Sequence, residues 1–332
     1  MHTGRHTLLH HTCERKLVCF LRTNTPVAIY IGISGFRYPH WRGPFYPPAL
    51  PQRQELSYAA ERFGSIEING SFYSLQRPEY YLGWLEQVPP KYVFAVKGGR
   101  FITHMKKLRD VRVPLANFFA SGMLCLGESL GPLLWQFPEN MPSDLPRFES
   151  FFELLPRTTQ EAAKLAREHA SRGADGVPRI GAERARPLRY AVEIRNPACV
   201  SEPFMKLLRR AGISWVIADT AGRFPYLEEV TAKFVYVRLH GDEKLYASGY
   251  SARAVQRWAE RIACWSEGGE PRGAQRLLPA PSARKRDVYV YFDNDGSAHA
   301  PHDAQALQAA LLQLGCDVIL PRATAAATRL RA

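Results

Sequence analysis

The sequence predicts an α/β protein folded as a single closed parallel (β/α)8 barrel. Three observations carry this reading: eight short runs rich in β-branched and aromatic residues, helical periodicity between them, and polar residues where the runs end. The runs are 29–33, 65–68, 92–96, 132–137, 189–194, 214–219, 234–239 and 288–292. Parallel strands need long crossovers, usually helical, so strict alternation argues for a sheet covered by helices, and eight units suggest closure.

The crossovers are read in chain order from apolar residues three and four apart. Leu56, Ala59, Ala60 and Phe63 follow the first run, and Tyr81, Trp84 and Leu85 the second. Phe148, Phe151, Phe152 and Leu155 follow the fourth, and Phe204, Leu207 and Leu208 the fifth. After the sixth run, residues 221–232 leave room for only a short helix, so one barrel helix is expected to be degenerate. Val255, Trp258, Ile262 and Trp265 then follow the seventh run, and Leu307, Ala310, Leu311 and Leu314 the eighth. A doubly wound open sheet is the runner-up, but such a sheet often carries a Gly-rich phosphate loop after its first strand. Here Gly32 and Gly35 lead instead into Phe36, Tyr38, Pro39 and Trp41.

The 332 residues suit either two domains or one barrel of about 250 residues with extensions. At 46% hydrophobic and 23% charged, the chain has ordinary globular composition rather than that of a disordered or collagen-like one. No apolar run approaches the ~18 residues of a membrane span. The short run 17–21 falls below a signal-peptide core, so a cytoplasmic protein without membrane association is expected. Six scattered cysteines without C-x-x-C spacing argue for free thiols.

The net charge of +13 is unevenly placed. Segments 1–28, 157–189, 253–287 and 321–332 hold 23 Lys and Arg against 9 Asp and Glu, so the rest of the chain is nearly neutral. The expected organisation is a flexible basic arm over 1–27, the barrel over 28–320 with surface excursions near 173–187 and 268–286, and a basic tail over 321–332. The excursions are rich in Gly, Pro, Ala and Arg and lack interleaved aromatics, which reads as solvated linker before it reads as a nucleic-acid surface.

In a (β/α)8 barrel the C-terminal strand ends build the active site. Here they carry Glu67 and Asn69, Lys97, Gln136, Glu193 and Arg195, Asp219, Arg238 and His240, then Asp293 and Asn294. Side chains alternate along a strand, so Glu67 with Asn69, Glu193 with Arg195, and Arg238 with His240 share a face, with Ile68, Ile194 and Leu239 toward the helices. All three pairs are expected to face one cavity.

These residues sit in ordered motifs. Gly32-Ile-Ser-Gly-Phe-Arg-Tyr-Pro-His-Trp-Arg-Gly-Pro-Phe-Tyr-Pro47, Ser65-Ile-Glu-Ile-Asn-Gly-Ser-Phe-Tyr73, Phe94-Ala-Val-Lys97 with Thr103-His104, and Leu134-Trp-Gln-Phe-Pro138 come first. Val192-Glu-Ile-Arg195, Ala218-Asp219, Tyr236-Val-Arg-Leu-His-Gly241 and Tyr291-Phe-Asp-Asn294 follow. Over roughly residues 28–320 the sequence resembles the YecE-like family, a domain of unknown function. The resemblance implies a TIM-barrel-like fold and no established reaction. It also implies that Glu67, Asn69, Lys97, His104, Gln136, Glu193, Arg195, Asp219, Arg238, His240 and Asn294 line a shared cavity. Asp293 stands where many relatives carry Asn and is left out of that set.

Three chemistries fit such a cavity. In the first, a small anionic molecule is gripped by Lys97, Arg195 and Arg238, with Glu67, Glu193, Asp219 or His240 moving protons. Lys97 is expected to pair with Glu67 or Glu193; the alternative is a Schiff-base amine desolvated among cations. In the second, carboxylates and His240 hold a divalent metal, a less favoured reading because three inward cations oppose it; the cofactor stays unknown. In the third, Tyr38, Trp41 and their aromatic neighbours stack on a nucleotide or nucleic acid while the Arg-rich segments attract phosphate. Against this, the same aromatics would simply roof the barrel. The first reading is preferred, with an enzyme favoured over a binding protein because this fold hosts many chemistries, although for that reason it proves none. No protein partner is indicated.

Overall fold

The computed structural model describes residues 27–169 and 185–321. The basic arm through residue 26, residues 173–184 of the first excursion and the tail from residue 322 lie outside the described residues. Eight strands close in chain order: β1 (Ile29–Ser34), β2 (Ser65–Ile68), β3 (Val93–Lys97), β4 (Leu130–Phe137), β5 (Tyr190–Ile194), β6 (Ser214–Asp219), β7 (Phe234–Leu239) and β8 (Asp287–Phe292). Every pairing is parallel, and Ile31 opposite Val290 completes the ring. Each strand begins and ends within two residues of the run expected from the sequence.

The helices are α1 (Glu55–Ala60), α2 (Gly70–Tyr73), α3 (Pro78–Leu85), α4 (Arg112–Ala120), α5 (Leu145–Leu154), α6 (Thr159–Ala166), α7 (Glu202–Ala211), α8 (Ala252–Ser266) and α9 (His299–Gln313). Their starts follow capping chemistry. Ser201 and Ser251 accept hydrogen bonds from the Phe204 and Ala254 amides at 3.4 and 3.2 Å, and Asp144 accepts from Arg147 at 3.1 Å. Gly212 ends α7 in the left-handed region at φ 66°. Helices α2, α4 and α6 have no counterpart in the periodicity reading. Residues 220–233, between β6 and β7, form no helix, because Ala221 and Gly222 both take positive φ and break the chain direction there. The degenerate unit therefore lies where the sequence put it.

Outward residues such as Ile31, Ile33, Ile66, Val96 and Val237 are buried against the helices. Phe204, Leu207 and Leu208 bury one face of α7, each contributing about 1.5–3 kcal/mol by area. A second apolar cluster fills the barrel itself, with Ala95, Leu134, Ala191, Val216, Ala218, Tyr236 and Tyr291. The 268–286 segment is irregular but not merely solvated. Leu278 is buried, and the Leu277 and Leu278 amides donate to Glu229 at 2.9 and 3.2 Å, tying the segment to the chain before β7. Two carboxylate bonds replace the apolar periodicity that the segment lacks.

Candidate functional site

The period of two along each strand puts Ser34, Glu67, Lys97, Gln136, Glu193 and Arg238 at the C-terminal end of the barrel interior, above the apolar plug. Arg238 lies at their centre and is fully buried. Its Nη1 donates to Glu193 Oε2 at 2.7 Å, and its Nη2 lies 2.9 Å from both Glu67 Oε1 and Asp293 Oδ2. Ser34 Oγ donates to Glu67 Oε1, and Tyr236 OH donates to Glu67 Oε2 at 2.6 Å. His240 Nδ1 stands 3.0 Å from Asp293 Oδ2. Arg195 Nε donates to Glu193 Oε1 at 3.0 Å and its Nη2 to Tyr246 OH at 2.8 Å.

Burial pushes the Glu193 carboxyl upward, but Arg238 and Arg195 outweigh it and hold the group well below the usual carboxylate range. Asp293 is held low in the same balance, with burial opposed by Arg238 and by the adjacent His240 ring. The two terminal nitrogens of the guanidinium thus bind all three carboxylates, while its Nε is buried without a hydrogen-bond partner among the described residues.

Lys97 stands apart from this arrangement. The residue is 8% exposed, yet its Nζ has no hydrogen bond or ion pair among the described residues; its close neighbour is the Phe72 ring, with Nζ 4.4 Å from the centroid. The expected pairing with Glu67 or Glu193 is therefore corrected, because Arg238 reaches both carboxyls first. Burial, and then the charge of Arg238, lower the Lys97 pKa to about 8.

Lys97 opens onto a cavity of about 1000 Å³. Asn69, Gln136, Arg195 and Tyr38 line it, as does His104, carried on a π-helical turn over Phe101–Met105. Burial, followed by the charges of Lys97 and Arg195, pulls His104 down to about 4, so it is uncharged at neutral pH. Gly35, with φ 86°, turns the chain after β1 so that Tyr38 folds back over the mouth and donates to Ser34 O at 2.6 Å.

Glu67, Glu193, Arg238 and His240, expected to line the cavity and to grip the ligand or move its protons, come together but lie buried beneath the cavity, because their mutual pairing closes them off from its wall. Three further expected members lie elsewhere. Val216 and Ala218 face the barrel interior, so Asp219 faces the helices, where it accepts from Tyr250 OH at 3.2 Å and Trp258 Nε1 at 3.3 Å. Asn294 follows the inward Asp293 and so points outward, donating to Asp303 Oδ2 at 2.7 Å and to Ser248 O at 3.0 Å. Trp41 is buried among Tyr38, Phe45 and Tyr46, and its Nε1 donates to Asp295 O at 3.1 Å; it braces the loop and does not line the cavity. Asp293, set aside on the sequence, is part of the centre. Ser34 and Tyr236 were legible from strand alternation, as inward neighbours of Glu67 and Arg238. Arg37 and Tyr246 line the cavity from loops, and Arg100 from the start of the short π-helical turn, where no periodicity exists to find them.

Among the described residues, no group of three or more His, Cys, Asp and Glu forms a metal site, and no helix is long and apolar enough to cross a membrane. Cys125, Cys199, Cys264 and Cys316 are free.

The family model described as "Protein of unknown function DUF72" matches residues 30–327. The UPF0759 protein YecE of Escherichia coli (strain K12) is 30% identical over 129 residues, which is 39% of this chain and 44% of that protein, so the match spans less than half of that relative. A DUF72 family protein from Thermotoga maritima MSB8 is similar in structure with a TM-score of 0.67 at 23% identity, over 86% of this chain and 99% of that one. A DUF72 family protein from Enterococcus faecalis V583 gives 0.63 at 15% identity, over 89% and 99%. These likenesses are of fold.

Proposed function

The chain belongs to the DUF72 family, whose description assigns no reaction, and we propose that its barrel mouth binds a small phosphate- or carboxylate-bearing compound through Lys97. The observation that carries this reading is the Lys97 ammonium: buried, facing a large cavity and without an anionic partner among the described residues, while the Glu67, Glu193 and Asp293 carboxyls are engaged by Arg238, His240 or Arg195. A buried charge without a partner is costly, and an anionic ligand relieves that cost. Arg37 and Arg100 add cationic reach at the wall, and Arg195 presents a guanidinium already oriented by Glu193 and Tyr246. An enzyme is favoured over a carrier because His104 offers an uncharged proton acceptor beside the same cavity.

Nucleic acid is the second reading, favoured by the exposed Tyr73 and Phe101 rings, with Arg100 5.6 Å from the Tyr73 ring centroid. It is weakened by the second Arg-rich segment, where Arg261 pairs with Glu228 and Lys285 with Glu267 at 2.8 Å.

The test is thermal unfolding with inorganic phosphate, malonate and a short single-stranded oligonucleotide at constant ionic strength. A ligand at about 100 Kd should stabilise by about 2.7 kcal/mol, roughly 5 °C for a chain of this size. The wild type should respond to phosphate or malonate and Lys97→Met should not. Equal responses in both proteins overturn the reading, and a response to the oligonucleotide alone favours the second.

A further inference from the structure

We propose that Lys97 is the amine of a Schiff-base site, condensing with an aldehyde or ketone that carries a carboxylate or phosphate. The proposal rests on the anion-binding reading for the charged half of the ligand and adds the carbonyl half. Three features of the geometry point to it.

First, the Nζ lone pair is not committed. An ordinary structural lysine at a barrel mouth is held as ammonium by a carboxylate; here the Glu67, Glu193 and Asp293 oxygens within reach of the centre face Arg238 instead. Second, the surroundings disfavour charge on Lys97. It is buried and repelled by Arg238; Asp293, Glu67 and Glu193 oppose this only in part, so the amine is reached at about pH 8. The Phe72 face, 4.4 Å from Nζ, attracts the charged form but cannot accept a hydrogen bond as a carboxylate would. At pH 7 its free-amine fraction is then about two hundredfold above that of an ordinary lysine, whose pKa is about 10.4. Third, the cavity supplies what the condensation needs. Gln136 lines it from β4 and can hold the carbonyl oxygen. His104, with Nδ1 engaged by Thr103 at 2.8 Å, keeps Nε2 for proton transfer.

The step balances without an oxidant or reductant. The Nζ lone pair adds to the carbonyl carbon to give a carbinolamine, with a proton moving from nitrogen to oxygen through the uncharged His104 ring. The carbinolamine then loses its oxygen as water with the second amine proton, and C=N replaces C=O. The ligand's anionic group stays near Arg195 and Arg100. A lysine acting only as a point charge would hold the same anion and form no bond.

The full chain is incubated with glyoxylate and sodium cyanoborohydride, and the adducts are located by intact mass and peptide mapping. Malonate, a dianion without a carbonyl, is run in parallel by thermal shift and as a competitor. The expected result is an adduct on Lys97 forming roughly tenfold or more faster than on any exposed lysine. Its rate should rise with a midpoint near pH 8 and fall when malonate is added. Lys97→Arg, checked for a cooperative melt, should lose that adduct. Because mapping is read on the wild type, failure of the variant to fold leaves the test intact. Adducts spread over surface lysines with none enriched at Lys97 overturn the Schiff base. If malonate still stabilises the protein in that case, anion binding survives; if it does not, both readings fall. A Lys97 adduct that malonate neither slows nor mimics supports the amine and overturns the anionic half.

Discussion

The two ends of the barrel interior each carry an arginine among aromatic rings, and they differ in what surrounds it. At the N-terminal end Arg189 donates to Asp287 Oδ2 at 2.7 Å and to Tyr289 OH, and lies 5.9 Å from the Phe234 centroid, with its side chain 43% exposed. Tyr30 stacks on Tyr289 at 4.7 Å beside it, closing that end. At the C-terminal end Arg238 has three carboxyl partners and no exposure, yet the next cation along, Lys97, has none among the described residues and faces open space. Charge at a strand end is therefore not what marks a site. Both arginines are paired with carboxylates; the informative group is the one that the network leaves out.

The contrast can be broken most forcefully at Arg238. Arg238→Ala leaves Glu67, Glu193 and Asp293 buried without their shared donor, and should lower the unfolding free energy by about 3–5 kcal/mol, read by urea denaturation. A loss below about 1 kcal/mol would mean that the carboxyls are not held as described. Arg189→Ala at the opposite end should cost only about 1 kcal/mol, because an exposed ion pair and ring contact are screened by solvent.

At Lys97 the sign reverses. Its folded pKa of about 8 lies below the unfolded value, so the unfolded chain binds more protons across the interval. Stability from this group is absent below pH 8 and regained as pH rises from about 8 toward about 10.4. Lys97→Met should therefore melt no lower than wild type at pH 7, and the difference between the two should shrink across that window. A Met variant clearly less stable at pH 7 would show that Lys97 has a structural partner after all.

The smallest effect is expected at His104, whose pKa of about 4 also lies below its ordinary 6.5. Wild type should lose stability relative to His104→Gln as pH falls from about 6.5 to about 4, in differential melts.

Much of this was legible in the sequence because two periods are stiff constraints. Short β-branched runs located every strand, and alternation brought Glu67, Glu193, Arg238 and His240 together. Asp219 and Asn294 were misplaced by reading strand-end polarity ahead of that same alternation: Ala218 and Asp293 are the inward residues of their pairs. Asp293 was passed over because a departure from the family pattern outweighed its position after β8. That Lys97 is left without an ion pair was not legible at all. Whether Arg238 or Lys97 takes the carboxyls depends on side-chain reach across the barrel, which no local pattern encodes.

The central claim, a buried lysine left unpaired for a ligand, is tested most directly by NMR titration of lysine side chains labelled with 13Cε and 15Nζ. One lysine should titrate near pH 8, vanish in Lys97→Arg, and move upward when inorganic phosphate is added, since a bound anion favours the charged form. If every lysine titrates near its ordinary value of about 10.4, with no phosphate-dependent shift, Lys97 is paired or solvated and the account is wrong.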